Sequence, residues 1–469
     1  MIELALQEIA SATAGRLPED TGDLGISGDV VTDSRQAGPG SLFVALPGER
    51  VDGHDYLGAA AEAGAVAALV TREIPGAPLA QIVVDDATRA LGDLARRVLA
   101  TLREGDHPPL VIGITGSVGK TSTKDLLAAL LEPAGEMIAP IGSYNNEIGL
   151  PLTVLRARRS TAVLVLEMGA DAPGNLAYLA GIAPPDIAVV LAVGRAHLDG
   201  FGDIEAVAAA KAELVQHMRP DGVAVLNADD HRVAAMSSLA ASARTVLFGR
   251  EPTAQVRAEH ISSAPDGRAR FTLHLGGTSH QVNLALIGEH QVSNALAAAA
   301  VALQTGVPAE QIVTTLASAG ARSGHRMDVR RTAEGLTIID DSYNANPDSM
   351  RAALRSLHHM AGSTGGRAVA VLGPMRELGP DSVGEHERLG AFTAESGTDL
   401  LVTVAEEPGA LATGALTAGM APDAVQHVAG VAEAVTVLQQ YLRAGDVVLV
   451  KASNGERLWR VAAELGSGR

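Results

Sequence analysis

The chain has 469 residues, 47% of them hydrophobic but only 2% aromatic, with no cysteine and a formal charge of −18 at pH 7. That length calls for two or three domains, whose cores alanine, valine and leucine must fill. The acidic balance argues against a nucleic-acid binder, which needs clustered Lys and Arg, and the missing cysteines exclude disulfides and thiolate metal sites.

The first fifteen residues carry Glu3 and Glu8 and no basic flank ahead of an apolar core, unlike a secretory leader. The longest apolar run, 295–303, falls well short of the ~20 residues that span a bilayer. The expectation is a cytoplasmic protein without membrane insertion. Two breaks divide the chain. Glu104-Gly-Asp-His-Pro-Pro disfavours helix and central strand just before residue 110. Residues 318–332 are rich in Gly, Ser, Arg and charge. Three domains are predicted: 1–107, 108–322 and 323–469.

In the middle segment, apolar runs at 110–115, 162–168, 187–193, 223–227 and 245–248 alternate with helical stretches at 121–131, 175–180 and 204–218. This implies an α/β fold with a mostly parallel sheet covered by helices. Runs at 255–260, 269–275 and 280–286, separated by Asp266-Gly267 and Gly276-Gly277, read as added antiparallel strands. The third segment is a Rossmann-like α/β domain, with strands over 337–341, 368–372, 400–404 and 447–450. Helices over 347–360 and 382–396 intervene.

The most informative stretch is Gly113-Ile-Thr-Gly-Ser-Val-Gly-Lys-Thr-Ser-Thr, set between an apolar strand and a helix. A strand, a glycine turn and a helix N-terminus together cradle a nucleotide polyphosphate. Thr115, Gly116, Ser117, Val118, Gly119 and Ser122 form that cradle. Lys120 reaches the β/γ-phosphates, and the Thr121 hydroxyl faces Mg²⁺. The first glycine, Gly113, lies one residue earlier than the standard spacing.

Ligands of open α/β sheets collect beyond the carboxyl ends of strands. Glu167 ends one predicted strand and His197 follows another, so a carboxylate and an imidazole are available to a divalent metal beside the phosphates. By residue type alone, Lys211 reads as a surface lysine paired with Glu213. Asn145 and Asn146 either offer amides to a polar substrate or cap a turn. Asp341-Ser-Tyr343-Asn344-Ala-Asn346-Pro347 closes a strand and opens a helix at its proline. Arg326, in the second break, suits phosphate charge during transfer.

Together these stretches resemble the Mur ligases, the ATP-dependent amide-forming enzymes of bacterial cell-wall synthesis, and most of all their MurF branch. Thr32-Asp33-Ser34-Arg35, Gly40-Ser-Leu-Phe-Val-Ala45 and Asp52-Gly-His54 match the family's UDP-binding N-terminal domain. Thr115–Thr121 is the family's own phosphate-loop variant. Asn145-Asn-Glu-Ile-Gly149 and Asp341–Pro347 point to the branch.

The resemblance implies that ATP and Mg²⁺ are used. Lys120 and Thr121 take the phosphates and metal, Glu167 and His197 hold magnesium, and Lys211 is a carbamylated metal ligand. It places Asn294 near the nucleotide base, and Arg326 and Asp341 over ATP. Asn145, Asn146, Tyr343, Asn344 and Asn346 then fall to the peptide substrates, and Asp33, Ser34 and Arg35 to the uridine nucleotide. The implied partners are UDP-N-acetylmuramoyl-tripeptide and D-alanyl-D-alanine, joined by a monomer through an acyl phosphate. A ligase with another muramyl or folyl acceptor, and a nucleotide switch without ligation, are the alternatives. Three positions depart from the family pattern: Pro374, Ala212 and Ala452. The two alanines are compatible with the pattern if their φ is negative.

Overall fold

The computed structural model describes residues 2–17, 24–48, 51–140, 142–195, 198–240, 243–406 and 409–467. Three sheets organise the chain into a three-domain α/β architecture. The first is a four-stranded parallel sheet in the order Val30–Val31, Ser41–Val44, Ala65–Val70, Ala80–Val83. A short antiparallel pair, Leu4–Ala5 with Gly25–Ile26, sits beside it.

The central sheet has nine strands. Its parallel part runs Glu136–Ile138, Thr161–Glu167, Leu110–Thr115, Ile187–Val190, Val223–Asn227, Arg244–Gly249, Val256–Ser263. Arg268–Leu275 and Thr278–Ile287 continue it in antiparallel fashion. The expected parallel sheet with an antiparallel addition is therefore present.

The third sheet has six strands, five of them parallel: Thr337–Asp340, Val447–Lys451, Ala368–Leu372, Leu400–Val404, Val425–Val428. The sixth, Asp328–Arg331, pairs antiparallel with Thr337–Asp340. It falls in the stretch read from sequence as a break. It is polar and only four residues long, so no apolar run announces it. Glu136–Ile138 and Val425–Val428 also went unpredicted, as short edge strands that stay partly exposed.

Packing follows from the alanine-rich composition. In the helix Gln291–Gln304, every residue from 294 to 302 is buried, as expected of a helix that is apolar all round. Its small side chains let it lie against the phosphate-loop helix Lys120–Leu130. On the other side of the sheet, the amphipathic helix Ala87–Arg103 shares one core with Leu150, Val154, Leu164 and Ile182. Arg96 Nε donates to the Gly181 carbonyl at 2.9 Å and Arg103 to that of Pro184 at 2.6 Å. These bonds fasten the first domain to the second.

The third domain docks on the central one through Arg195 and Glu385 (2.9 Å) and through His359 Nε2, which donates to the Ala264 carbonyl (2.8 Å). Asn346 has two duties. Its side-chain oxygen caps the helix Pro347–Thr364 by accepting from the Ser349 N–H at 2.9 Å, and its Nδ2 reaches the Ser117 carbonyl of the phosphate loop at 3.5 Å. Asn346→Ala is expected to cost about 1 kcal/mol and lower the melting temperature by about 2–4 °C. Asn346→Asp keeps the cap but gives up the Nδ2 donor to Ser117, and should recover most of the loss. Equal losses in both variants, read by thermal denaturation, would show that the cap contributes nothing.

Candidate functional site

The phosphate loop leaves its strand at Thr115 and enters its helix at Lys120. Gly113 is not part of it. That glycine lies inside the strand, where an added Cβ would stand 2.7 Å from the Pro185 ring. The displaced glycine of the sequence thus serves strand–loop packing, and the loop proper begins at Gly116. Gly119 is fixed twice over: its φ is +88°, and a Cβ there would collide with the Asn294 side chain. Asn294 is held by Gln291, since its Nδ2 donates to Gln291 Oε1 at 2.8 Å, and so braces the turn. Ser117 ties the loop to the next strand's exit. Its Oγ donates to the Gly194 carbonyl (3.2 Å) and accepts from the Gly194 N–H (2.9 Å).

Lys120 folds back so that Nζ donates to the Gly116 carbonyl at 2.6 Å. Burial lowers its pKa; Glu167 opposes the shift and the positive charge of Arg326 adds to it. Beside it, Glu167 is 1% exposed. Its Oε2 accepts from the hydroxyls of Thr121 (3.2 Å) and Ser143 (3.1 Å). Its Oε1 is buried with no hydrogen bond, and Lys124 Nζ is 3.5 Å away. A carboxylate oxygen without a hydrogen bond, next to two hydroxyls, is a hard-oxygen donor set that fits Mg²⁺. Among the described residues no group of three His, Cys, Asp or Glu forms a closed metal cage. His197 lies outside the described residues.

Lys211 overturns its reading by residue type. It sits in the helix Ile204–Gln216, 3% exposed. Glu213 faces elsewhere, accepting from the Gly174 and Ala177 N–H groups at 2.7 and 3.0 Å. Burial first, then repulsion from Lys120, pulls the Lys211 pKa down to about 7.

Lys211, Lys120 and Gly116 line one cleft of about 540 Å³ with Asn145, Asn146, Gly169 and the helix-start residues Asp86, Thr88 and Arg89. Asn146 partly caps a turn, its Oδ1 accepting from the Gly149 N–H at 2.9 Å. The turn-capping reading of that amide holds, and the residue also lines the cleft. Residue types alone gave no sign of the 86–96 wall, because it is surface-like helix in its own domain. Ser143 and Lys124 were missed for a similar reason, since only the fold turns them toward Glu167.

Other candidates are not among the residues that line this cleft. Asp33 caps a short helical turn and forks onto Arg35 at 2.7–3.2 Å, which holds its pKa down at about 2. Ser34 lies between them, in the first domain. His54 is 3% exposed and locked by Asp52 and by the Thr71 N–H, so that motif braces the fold. In the third domain, Asp341 pairs with Lys451 at 2.6 Å, and Asn344 accepts from the neighbouring Ala345 N–H. Arg326 lies over the Tyr343 ring, 4.2 Å from its centroid. Ala212 and Ala452 both avoid positive φ, so neither departure strains the backbone. Pro374 is knitted into the same corner, its carbonyl accepting from the Ser453 N–H at 3.2 Å.

Known proteins match this arrangement throughout. Residues 29–98 match the profile of the Mur ligase family catalytic domain, 114–302 that of the Mur ligase middle domain, and 325–454 that of the Mur ligase glutamate ligase domain. The chain is 46% identical to the UDP-N-acetylmuramoyl-tripeptide–D-alanyl-D-alanine ligase of Mycobacterium bovis, over 99% of this chain and 98% of that one. It superposes on a crystal structure of MurF from Acinetobacter baumannii with TM-score 0.86, 33% identity and 99% of each chain covered. On MurF ligase from Thermotoga maritima in complex with ADP the TM-score is 0.80, with 29% identity and 94% and 98% coverage. Loop, cleft and docked third domain all lie within these matches, and the chain belongs to the Mur ligase family, in its MurF branch.

Proposed function

We infer that this protein joins D-alanyl-D-alanine to UDP-N-acetylmuramoyl-tripeptide at the expense of ATP. The carrying observation is the shared cleft: Gly116 and Lys120 of the phosphate loop open onto the same space as Lys211 and Asn145. The tripeptide's terminal carboxylate attacks the γ-phosphorus of ATP, and ADP leaves. The neutral amine of the dipeptide attacks the acyl carbon, phosphate departs, and an amide remains. Activation is required because a carboxylate is a poor acyl donor at neutral pH. The protein contributes positioning and charge. Lys120 and the helix N-terminus neutralise phosphate oxygens, Arg326 adds a second cation from the hinge, and the docked third domain excludes water.

Thr121 and Glu167 would hold Mg²⁺, with His197 and a carbamylated Lys211 as further ligands. The ion would supply charge neutralisation on the triphosphate. Asn145, Asn146, Tyr343, Asn344 and Asn346 would face the peptides, and Asp33, Ser34 and Arg35 the uridine end. Domain limits of 1–107, 108–322 and 323–469 accord with this division of labour. The working unit we propose is a monomer. ATP and a UDP-linked precursor are cytoplasmic, so the enzyme works there.

The test is ADP release with muramyl tripeptide, dipeptide and magnesium, each omitted in turn, with the product identified by mass spectrometry. Release that needs all three and yields the new amide is expected. ADP release indifferent to the dipeptide would overturn the assignment.

A further inference from the structure

Two arginines lie face-on over tyrosine rings. Arg367 stands 4.1 Å from the Tyr441 centroid, and its donors are already engaged. Its Nε and Nη2 donate to the Asp446 carboxylate at 3.0 and 2.6 Å, and Nη2 also to the Tyr441 carbonyl at 2.7 Å. That pair is a finished structural joint. Arg326 over Tyr343 differs in kind. Its Nε is buried without a hydrogen-bond partner, and among the described residues no carboxylate pairs with it. A buried guanidinium N–H left open is costly unless something else supplies the acceptor.

The backbone around Arg326 is held just as deliberately. Its neighbours His325 and Met327 both adopt left-handed conformations, with φ of +60° and +53°, which side chains other than glycine rarely accept. Each is pinned. His325 Nδ1 lies 2.6 Å from Asp340 Oδ2, its carbonyl accepts from the Tyr343 N–H at 3.1 Å, and its ring rests 5.7 Å from that of Trp459. The Met327 N–H donates to Asp341 Oδ1 at 3.1 Å, and Lys451 holds Asp341 in turn. On the other side of the hinge, Asp125 of the phosphate-loop helix accepts from the Ser323 N–H (2.8 Å) and hydroxyl (3.1 Å). The loop carrying Arg326 is therefore tethered to both domains.

We infer that Tyr343 is a positioning residue for Arg326: its ring face, not its hydroxyl, holds the guanidinium so that unpaired N–H groups meet the charge developing on the transferred phosphate. This rests on the proposed ATP-dependent ligation. It gives Tyr343 a task other than substrate contact. A ring face orients a cation without consuming any of its donors, which a carboxylate in the same place would do.

The experiment measures kcat and the KM for ATP in the full chain for Tyr343→Leu, Tyr343→Phe, Arg326→Ala and the Arg326→Ala/Tyr343→Leu double variant, with a melting temperature for each. Tyr343→Leu should lower kcat about tenfold, and Tyr343→Phe should recover it to within about threefold of the parent. Arg326→Ala should lose on the order of a hundredfold. In that background Tyr343→Leu should change kcat less than about twofold, since the ring then has nothing to position. Tyr343→Met, flexible and ringless, replaces Leu if that variant does not fold. A Phe variant as damaged as Leu, or full multiplication of the two losses, overturns the inference and leaves the ligation reading intact. Parental kcat in Arg326→Ala removes the role given to Arg326 and the inference with it.

Discussion

Lys120→Ala is expected to lower dipeptide-dependent ADP release on the order of a thousandfold, with the fold unchanged. The lysine side chain lies across the loop mouth, its Nζ resting on the Gly116 carbonyl. Burial lowers its pKa, with Glu167 opposing the shift and the nearby Arg326 charge adding to it. A bound triphosphate reverses that balance, because anionic oxygens favour the ammonium. The loss should therefore fall on kcat as well as on the KM for ATP, since negative charge moves toward the leaving ADP during transfer. Lys120→Arg should rescue poorly: the planar fork is longer and cannot occupy the same pocket as a point charge. Steady-state kinetics, with melting curves as a control, decide the matter. Unchanged turnover in Lys120→Ala would sink the loop assignment.

Lys211→Ala is expected to lose activity on the order of a hundredfold, and short carboxylic acids should restore part of it. The reasoning is chemical. A neutral amine adds to the carbon of CO₂, one N–H proton passes to solvent, and an anionic carbamate remains. An ordinary lysine is almost wholly protonated at neutral pH, but burial and Lys120 bring this one to about 7. The folded value lies below the free value, so the neutral form predominates above ~7 and is lost as pH falls through it. Incorporation of isotopically labelled bicarbonate at Lys211 should accordingly be strong near pH ~8 and weak near ~6. Parental rates in Lys211→Ala without additives would remove the carbamate.

The two outcomes depend on different kinds of information. Lys120 could be named from sequence because its role follows from neighbours in the chain: glycines, a helix start and a preceding strand. Lys211 could not. Residue type and spacing favour a surface pair with Glu213, and only resemblance argued otherwise. In the fold, Glu213 turns away to cap the helix Asn175–Ile182, and Lys211 is left among buried groups beside Lys120. Asn146 shows the intermediate case, where the local turn cap is present and the residue also borders the cleft. Ser143, Lys124 and the wall at 86–96 carried no local signal, because their meeting with Glu167 or the cleft depends on contacts between distant segments.

Sequence alone determined the α/β class, most strands of both larger sheets and the phosphate loop, since apolar periodicity and glycine placement act over a few residues. Tertiary structure alone decided which charges are buried, which carboxylate oxygens lack a hydrogen bond, and which buried guanidinium nitrogen has no partner. Those properties arise from desolvation and from partners supplied by remote parts of the chain, and no spacing along the sequence encodes them.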